Sequence, residues 1–312
     1  MRFCQSLNDH LRSTTHIVFW TSVTLGVFGL AVISRFIQTK VDAQSRSQTQ
    51  VFLGGQVDYR GVRFNHDKSI ASEVTSKIVE AQVASTENSG PGDTIYPTHV
   101  AFALAGTYSS QPASFIASEI HVYPVREYKQ AFAKDPKAAR EVSGTIARLR
   151  RILSIRNPRF KGDVPLLPLP DGYLAFRAHT KFLRFKQGSG IVFLTQSQQD
   201  EMPINNQNLS YEFEGLTNDG RYYVTAEFPV ATPFLAFDRD KASYGGTVRE
   251  SSCFECPEHT RFIREYRAYA RSIGNKLERL QPDMFQPGLN RFDELLISIE
   301  IDANADSLIK QP

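Results

Sequence analysis

Cysteine is scarce: the 312-residue chain carries three, Cys4, Cys253 and Cys256. The last two form a C-x-x-C pair, and there is no second pair to complete a tetrahedral zinc site with them and His259. Pro257 stands where a haem-attachment C-x-x-C-H motif needs histidine. Charge of one sign is also lacking. A net charge of +3 and a pI near 8.7 are too mild to mark a nucleic-acid footprint, so no nucleic-acid partner is expected. There is no G-x-S-x-G, no phosphate-binding Walker loop, no H-E-x-x-H and no dinucleotide fingerprint. Asp200, Glu201, Asp238 and Asp240 lack the spacing of a calcium loop. These absences set aside several common enzyme classes and leave enzymes in general open. They name no catalytic residue, cofactor or metal, and no internal repeat is present.

What is there begins with an apolar run. Residues 1–16 are polar and carry Arg2 and Arg12; Ile17–Ser34 follows as 18 residues without a charge, bounded by His16 and Arg35. As a helix this run is roughly 27 Å long, close to the roughly 30 Å of a bilayer's hydrocarbon. Trp20 lies near its start, where an interfacial aromatic is expected. The expectation is a signal anchor, with 1–16 cytoplasmic and the body outside the cytoplasm, periplasmic or extracellular. A cleaved signal peptide, with Val41-Asp42-Ala43 near an A-x-A-type site, and a buried soluble helix are the alternatives. Residues 35–53 contain the Gln/Ser-rich stretch Gln38–Gln50, a flexible linker with a reach of about 24 Å r.m.s..

The globular part, 54–312, has 41% apolar residues across the chain to draw on for a core. Val57–Phe64 reads as a strand. Ile70, Val74 and Ile78 recur every fourth residue and predict a short helix capped by Asp67. His99–Gly106 and Ser114–Val122 are strands around a polar turn at 108–112. Pro124–Ala133 and Pro136–Ile155 are helices, the second with Asp135 at its N-cap, proline at N1 and a stripe of Val142, Ile146, Leu149 and Leu153. Asp163–Gly172 is a proline-containing crossover. Glu258–Leu280 has the strongest helical spacing, through Phe262, Ile263, Tyr266, Tyr269, Ile273, Leu277 and Leu280. A short helix at 291–296 runs into a last strand at 297–301, and 302–312 is a frayed tail.

The organising stretch is Gly172–Val230, a meander. In Tyr173–Phe185, Leu174, Phe176, Ala178, Thr180 and Phe182 alternate with Arg177, His179 and Lys181, so each set shares a face. Gln187–Gly190 is a turn, and Ile191–Thr195 a short buried strand. Leu209, Tyr211 and Phe213 alternate with Ser210, Glu212 and Glu214. Thr217–Gly220 is a hairpin turn, because Asn, Asp and Gly tolerate positive φ. Tyr222, Val224, Ala226, Phe228 and Val230 return opposite Tyr223, Thr225 and Glu227. Leu174, Phe176, Phe182, Phe193, Tyr211, Phe213, Val224 and Phe228 are the expected core. The fold class is α+β, mainly antiparallel sheet flanked by helices, preceded by one transmembrane helix.

The runs Gly190-Ile191 to Thr195-Gln196, Pro203–Asn206, Gly215–Thr217 and Asp219–Val224 resemble a family of uncharacterised exported bacterial proteins. The likeness extends upstream to Ile120–Val125 and Gly61–Phe64 and ends at Ser298–Ile301, so it covers most of 56–301. It implies no catalytic residue. A broader similarity is to PsbP-like α/β/α sandwiches, through Gly61–Phe64 and the helix-to-strand run Phe292–Ile301. The helices at 124–155 depart from the simplest form of that frame. This resemblance implies a domain that binds or scaffolds.

Several residues invite chemistry. Cys253 and Cys256 precede a helix, as redox pairs do, but without a thioredoxin-like frame. A structural disulfide pinning the loop before the helix is expected, with redox, metal and free-thiol readings as alternatives. Arg148, Arg150, Arg151, Arg156, Arg159 and Lys161 form a basic run that could meet an anionic surface or be a solvated helix face. His121 and His179 lie in strands, where a structural role is the ordinary one. Tyr211, Phe213, Tyr222 and Tyr223 suit sheet packing as well as ligand stacking. The expected function is a membrane-tethered extracytoplasmic binding or scaffold domain for an unknown protein or small-molecule ligand. The alternatives are an extracytoplasmic hydrolase, marked by convergent histidines and carboxylates in one pocket, and a thiol–disulfide redox protein.

Overall fold

The computed structural model describes residues 49–82, 95–106, 114, 116–132, 134–168, 172–246, 248 and 256–302. Their strands are β1 (Gln50–Phe52), β2 (Gln56–Tyr59), β3 (Val62–Asn65), β4 (Glu73–Val79), β5 (His99–Ala105), β6 (Glu119–Pro124), β7 (Tyr173–Leu174), β8 (Ala178–Phe185), β9 (Gly188–Thr195), β10 (Ser197–Gln198), β11 (Ser210–Thr217), β12 (Tyr222–Pro229) and β13 (Glu300–Ile301). The helices are α1 (Val125–Ala131), α2 (Pro136–Ile155), α3 (Pro257–Leu277) and α4 (Leu289–Ser298). Eight strands form one antiparallel sheet in the order β1-β4-β5-β6-β12-β11-β9-β8. A three-stranded sheet, β13-β3-β2, and the pair β10-β7 complete the strands. The class is α+β, as expected.

Each face of the large sheet is covered by its own layer. On one face Val122, Tyr211, Phe213, Val224 and Phe228 pack with Phe292, Leu295 and Leu296 of α4, with Tyr266 of α3, and with Val57, Phe64 and Ile301 of the small sheet. Phe228 stacks on Phe292 with centroids 4.4 Å apart. The Tyr211 hydroxyl donates to Asp293 Oδ1 at 2.9 Å, and Lys181 pairs with the other carboxylate oxygen. On the opposite face Val142, Ile146, Leu149 and Leu153 of α2 and Tyr128 of α1 pack over Ile191, Phe193, Leu216 and Tyr223. Asp135 caps α2 by accepting from the Lys137 and Ala138 amides at 2.9 and 3.1 Å.

The sheet is tight where β9 meets β11. A Cβ on Gly190 would come within 2.2 Å of the Phe213 ring, and one on Gly188 within 2.2 Å of Phe185. Glycine lets these strands close over large rings that fill the core below.

Several expectations are corrected. Residues 73–79 are a strand, not part of a helix. A four-residue recurrence is also twice the strand period, so Val74 and Ile78 share a sheet face as readily as a helix face. Residues 57–64 are a hairpin rather than one strand, turned by Arg60 and Gly61 at φ 53° and 80°. The turn expected at 187–190 lies earlier, because Gly188 already pairs with Thr217. Tyr173–Phe185 is two strands, and its expected single face is broken by a bulge at His179, which has φ 50°. Phe176 and Ala178, before the bulge, pack toward α3 and α4, and half-buried Phe182, beyond it, packs toward α2; Leu174, in the separate β7–β10 pair, also packs toward α2. Asp302 is anchored rather than frayed: its amide donates to the Gly61 carbonyl, and its carboxylate takes Arg63 at 2.7 Å. The apolar run Ile17–Ser34, the polar turn at 108–112 and residues 303–312 lie outside the described residues. Among the described residues no helix is long and apolar enough to cross a membrane.

Candidate functional site

The site is built on the sheet face that α1 and α2 only partly cover. Strand alternation places Glu119, His121 and Tyr123 of β6 on this face, and Tyr223, Thr225 and Glu227 of β12 beside them. Register makes each a direct neighbour: Glu119 opposite Glu227, His121 opposite Thr225, and Tyr123 opposite Tyr223. One strand further, Glu212 stands opposite Glu227 and Glu214 opposite Thr225. On the other flank β5 presents only Ala101 and Ala103 across from His121 and Glu119. The small side chains leave an open cavity of about 540 Å³, lined by Lys77, Tyr96, His99, Glu119, His121, Tyr123, Pro168, Thr225 and Glu227, with Val79 and Ala117.

A directed hydrogen-bond chain runs along its wall. His99 Nδ1 lies 2.8 Å from the Pro97 carbonyl, which can only accept, so that nitrogen carries the proton. His99 Nε2 then accepts from His121 Nδ1–H at 3.0 Å. His121 Nε2 faces Glu119 Oε2 at 3.0 Å, and one proton lies on that line. Burial drives the His99 pKa down to about 4, which keeps this ring neutral and in the tautomer the chain requires. The hydrogen bond from His121 holds the Glu119 carboxyl below its ordinary range. The rings are packed: His99 lies 4.2 Å from Tyr123 and 5.1 Å from Tyr96 between centroids.

The neighbouring carboxyls behave in the opposite way. Burial, and then the charges of Glu212 and Glu119, push Glu227 up to about 8. Burial raises Glu212 to about 7 although Ser210 and Ser197 donate to its Oε1 at 2.9 and 3.2 Å. Glu214, 4% exposed, is raised well above the usual carboxylate range by burial and by Glu212. It accepts from the Tyr223 hydroxyl and from Thr225 at 3.3 Å. Burial raises the pKa of the fully buried Tyr128, whose hydroxyl has no hydrogen-bond partner among the described residues. A buried orphan of this kind is usually met by a bound water or a ligand group.

Of the residues singled out from sequence, His121 enters this site. His179 does not: its Nε2 donates to the Leu277 carbonyl at 2.9 Å and ties β8 to the end of α3. Tyr211, Phe213, Tyr222 and Tyr223 are buried in the sheet and offer no stacking surface. Arg148, Arg150, Arg151, Arg159 and Lys161 are exposed, and Arg156 is half-buried, donating to the Leu153 carbonyl at 3.0 Å. Cys256 is the N-cap residue of α3, and Cys253 lies outside the described residues. Asp238 caps a local turn through the Lys241 amide. Among the described residues no group of three or more histidine, cysteine and carboxylate side chains is arranged to hold a metal. His99, Glu119, Glu227 and Glu214 were not foreseen. Their signal was the i, i+2 row Glu119-His121-Tyr123, three polar or aromatic groups on one strand face.

These features define an α+β domain with a carboxyl–histidine cavity on its sheet. No protein-family model, no curated protein and no solved structure matches the chain.

Proposed function

We propose that the protein is a membrane-tethered extracytoplasmic binding domain, anchored by Ile17–Ser34 and spaced from the bilayer by residues 35–53. Its binding site is the cavity beside His121, and its ligand is a small neutral polyhydroxylated molecule of the sugar class. The carrying observation is the lining. A volume of about 540 Å³ falls within the range usual for small-ligand sites. His121 is hydrogen-bonded to Glu119, the positive Lys77 stands beside the acidic wall, and Glu227 holds its proton at neutral pH. Such a site has little net charge to offer an ion but many donors and acceptors. Half-buried Tyr96 adds a ring of the kind that lies against the apolar side of a sugar. The PsbP-like resemblance is in keeping with a binding role.

Two further parts belong to this reading. Cys253 and Cys256 form a disulfide that orders the loop before α3. The exposed face of Arg148, Arg150, Arg151, Arg159 and Lys161, with Arg156, meets anionic headgroups near the anchor. The binding reading is tested by calorimetric titration of the full-length protein in mild detergent with glucose, N-acetylglucosamine, maltose and cellobiose. Saturable binding to one or more, reduced at least tenfold in Glu119→Gln, supports it. No saturable binding to any, or binding unchanged in the variant, refutes it. The pairing of Glu119 with Glu227 favours a second reading, an extracytoplasmic hydrolase.

A further inference from the structure

We propose that Glu227 and Glu119 are the general acid and general base of a glycoside-hydrolysing site in this cavity. The proposal rests on the reading of the cavity as a sugar site and goes beyond binding.

The geometry assigns the roles. The two carboxyls stand directly opposite each other on β12 and β6, and both line the cavity. Side chains so placed have Cβ atoms about 5 Å apart. Acid–base cleavage in which water attacks directly needs the two carboxyls about 6.5–9.5 Å apart, a spacing that glutamate side chains reach by diverging from Cβ atoms so placed. Their surroundings differ in kind. Glu119 Oε2 accepts a hydrogen bond from His121 Nε2, within a chain that ends on a fixed backbone carbonyl, and its Oε1 makes no hydrogen bond among the described residues. It is the ionised partner. Glu227 faces the buried Glu212 on one side and Glu119 on the other, so it retains its proton. Two like groups driven apart by environment are the usual mark of an acid and a base in one site. The groups facing Glu227 are Glu212 on β11, Glu119 and His121 on β6, and Lys77, His99, Tyr96 and Tyr123 around the cavity.

The step balances with water as the only co-reactant. The water oxygen bonds to the anomeric carbon while the bond from that carbon to the leaving oxygen breaks. The leaving oxygen takes the Glu227 proton, and one water proton passes to Glu119 Oε1. Two hydroxyl-bearing products leave, and the proton on Glu119 returns to Glu227 through solvent. The positive charge developing on the sugar lies beside the Glu119 carboxylate, which favours it. Among the described residues the lining offers a carboxyl pair and no serine or cysteine nucleophile, which suits an acetal carbon better than an acyl carbon.

The test uses the full-length protein with 4-nitrophenyl glycosides of glucose, galactose, mannose and N-acetylglucosamine in both anomers. The matching disaccharides serve as substrates with poor leaving groups. The expected result is release of 4-nitrophenol from at least one glycoside, reduced 100-fold or more in Glu119→Gln. Glu227→Gln should slow the disaccharide at least 100-fold and the nitrophenyl glycoside much less, because nitrophenolate leaves with little help from an acid. A residue with a merely structural role would slow both alike. The wild-type rate on the disaccharide should fall as pH rises through about 8, a readout that needs no variant to fold. Sugar binding by calorimetry without hydrolysis of any glycoside or disaccharide overturns catalysis and leaves the binding reading standing. Absence of both overturns the two together. Equal losses on both substrate types in Glu227→Gln overturn the assignment of the acid.

Discussion

Glu212→Gln should make this protein more stable, and only at neutral and alkaline pH. Glu212 is 8% exposed, in the middle of β11, with Glu227 directly across from it. Burial lifts its carboxyl from the ordinary 4.5 to about 7. Each tenfold change in proton affinity is worth about 1.4 kcal/mol, so this lift destabilises the folded state by about 3 kcal/mol once the solution is above both values. The sign follows from the proton count. Below pH 4.5 the group is protonated in both states and contributes no difference. Between 4.5 and about 7 the unfolded chain loses the proton while the folded chain keeps it, so stability falls as pH rises. Above about 7 both states are ionised and the deficit stays constant. Glutamine keeps the oxygen that accepts from Ser210 and Ser197, and turns an amide donor toward Glu227 in place of a second carboxyl. Urea unfolding of residues 46–312, which form a contact unit of their own, should find variant and wild type within about 1 kcal/mol at pH 5 and about 3 kcal/mol apart at pH 8, with the variant the more stable. A gap of the same size at both pH values would mean that the carboxyl does not titrate late. A variant less stable at pH 8 would mean that the charge is compensated in the fold, and the reasoning fails.

Three other perturbations have clear expectations. Phe213→Ala removes a fully buried ring that packs on Phe185 and over Gly190 and should cost roughly 3–5 kcal/mol in urea unfolding, and a loss below about 0.5 kcal/mol would place the ring at the surface. Asp135→Ala deletes the acceptor for two amides at the start of α2 and should cost about 1 kcal/mol, whereas Asp135→Asn should lose only a few tenths. Mass measurement after alkylation without reductant should find Cys253 and Cys256 unlabelled in protein from the exported compartment; full labelling of both ends the disulfide proposal. If they pair, a double Cys→Ser variant should lose thermal stability and keep sugar binding, since a ring closed over two intervening residues orders the loop locally.

Local physics made much of this protein legible in its sequence. Asp135-Pro136 and the stripe Val142, Ile146, Leu149 and Leu153 define α2 because capping and the 3.6 period act within a few residues. The β11–β12 hairpin was legible for the same reason: Asn218, Asp219 and Gly220 turn the chain, and alternation decides which residues share a face. Local signals failed where a second local pattern gave the same spacing, as for Val74 and Ile78, or where one residue in the left-handed region reversed a face, as at His179. What only the tertiary structure decided is the fate of the polar face. Glu212, Glu214, Thr225 and Glu227 alternate correctly for a solvent-facing side, and nothing near them in the chain says that the other side is covered too. The burial comes from α1 and α2, and from β12 pairing with β6 rather than ending the sheet. That distant pairing puts Glu227 opposite Glu119 and beside the His121–His99 chain. The site exists because strand order is set by the summed packing of the whole sheet, whereas the alternation that aims each side chain is a property of neighbouring residues alone.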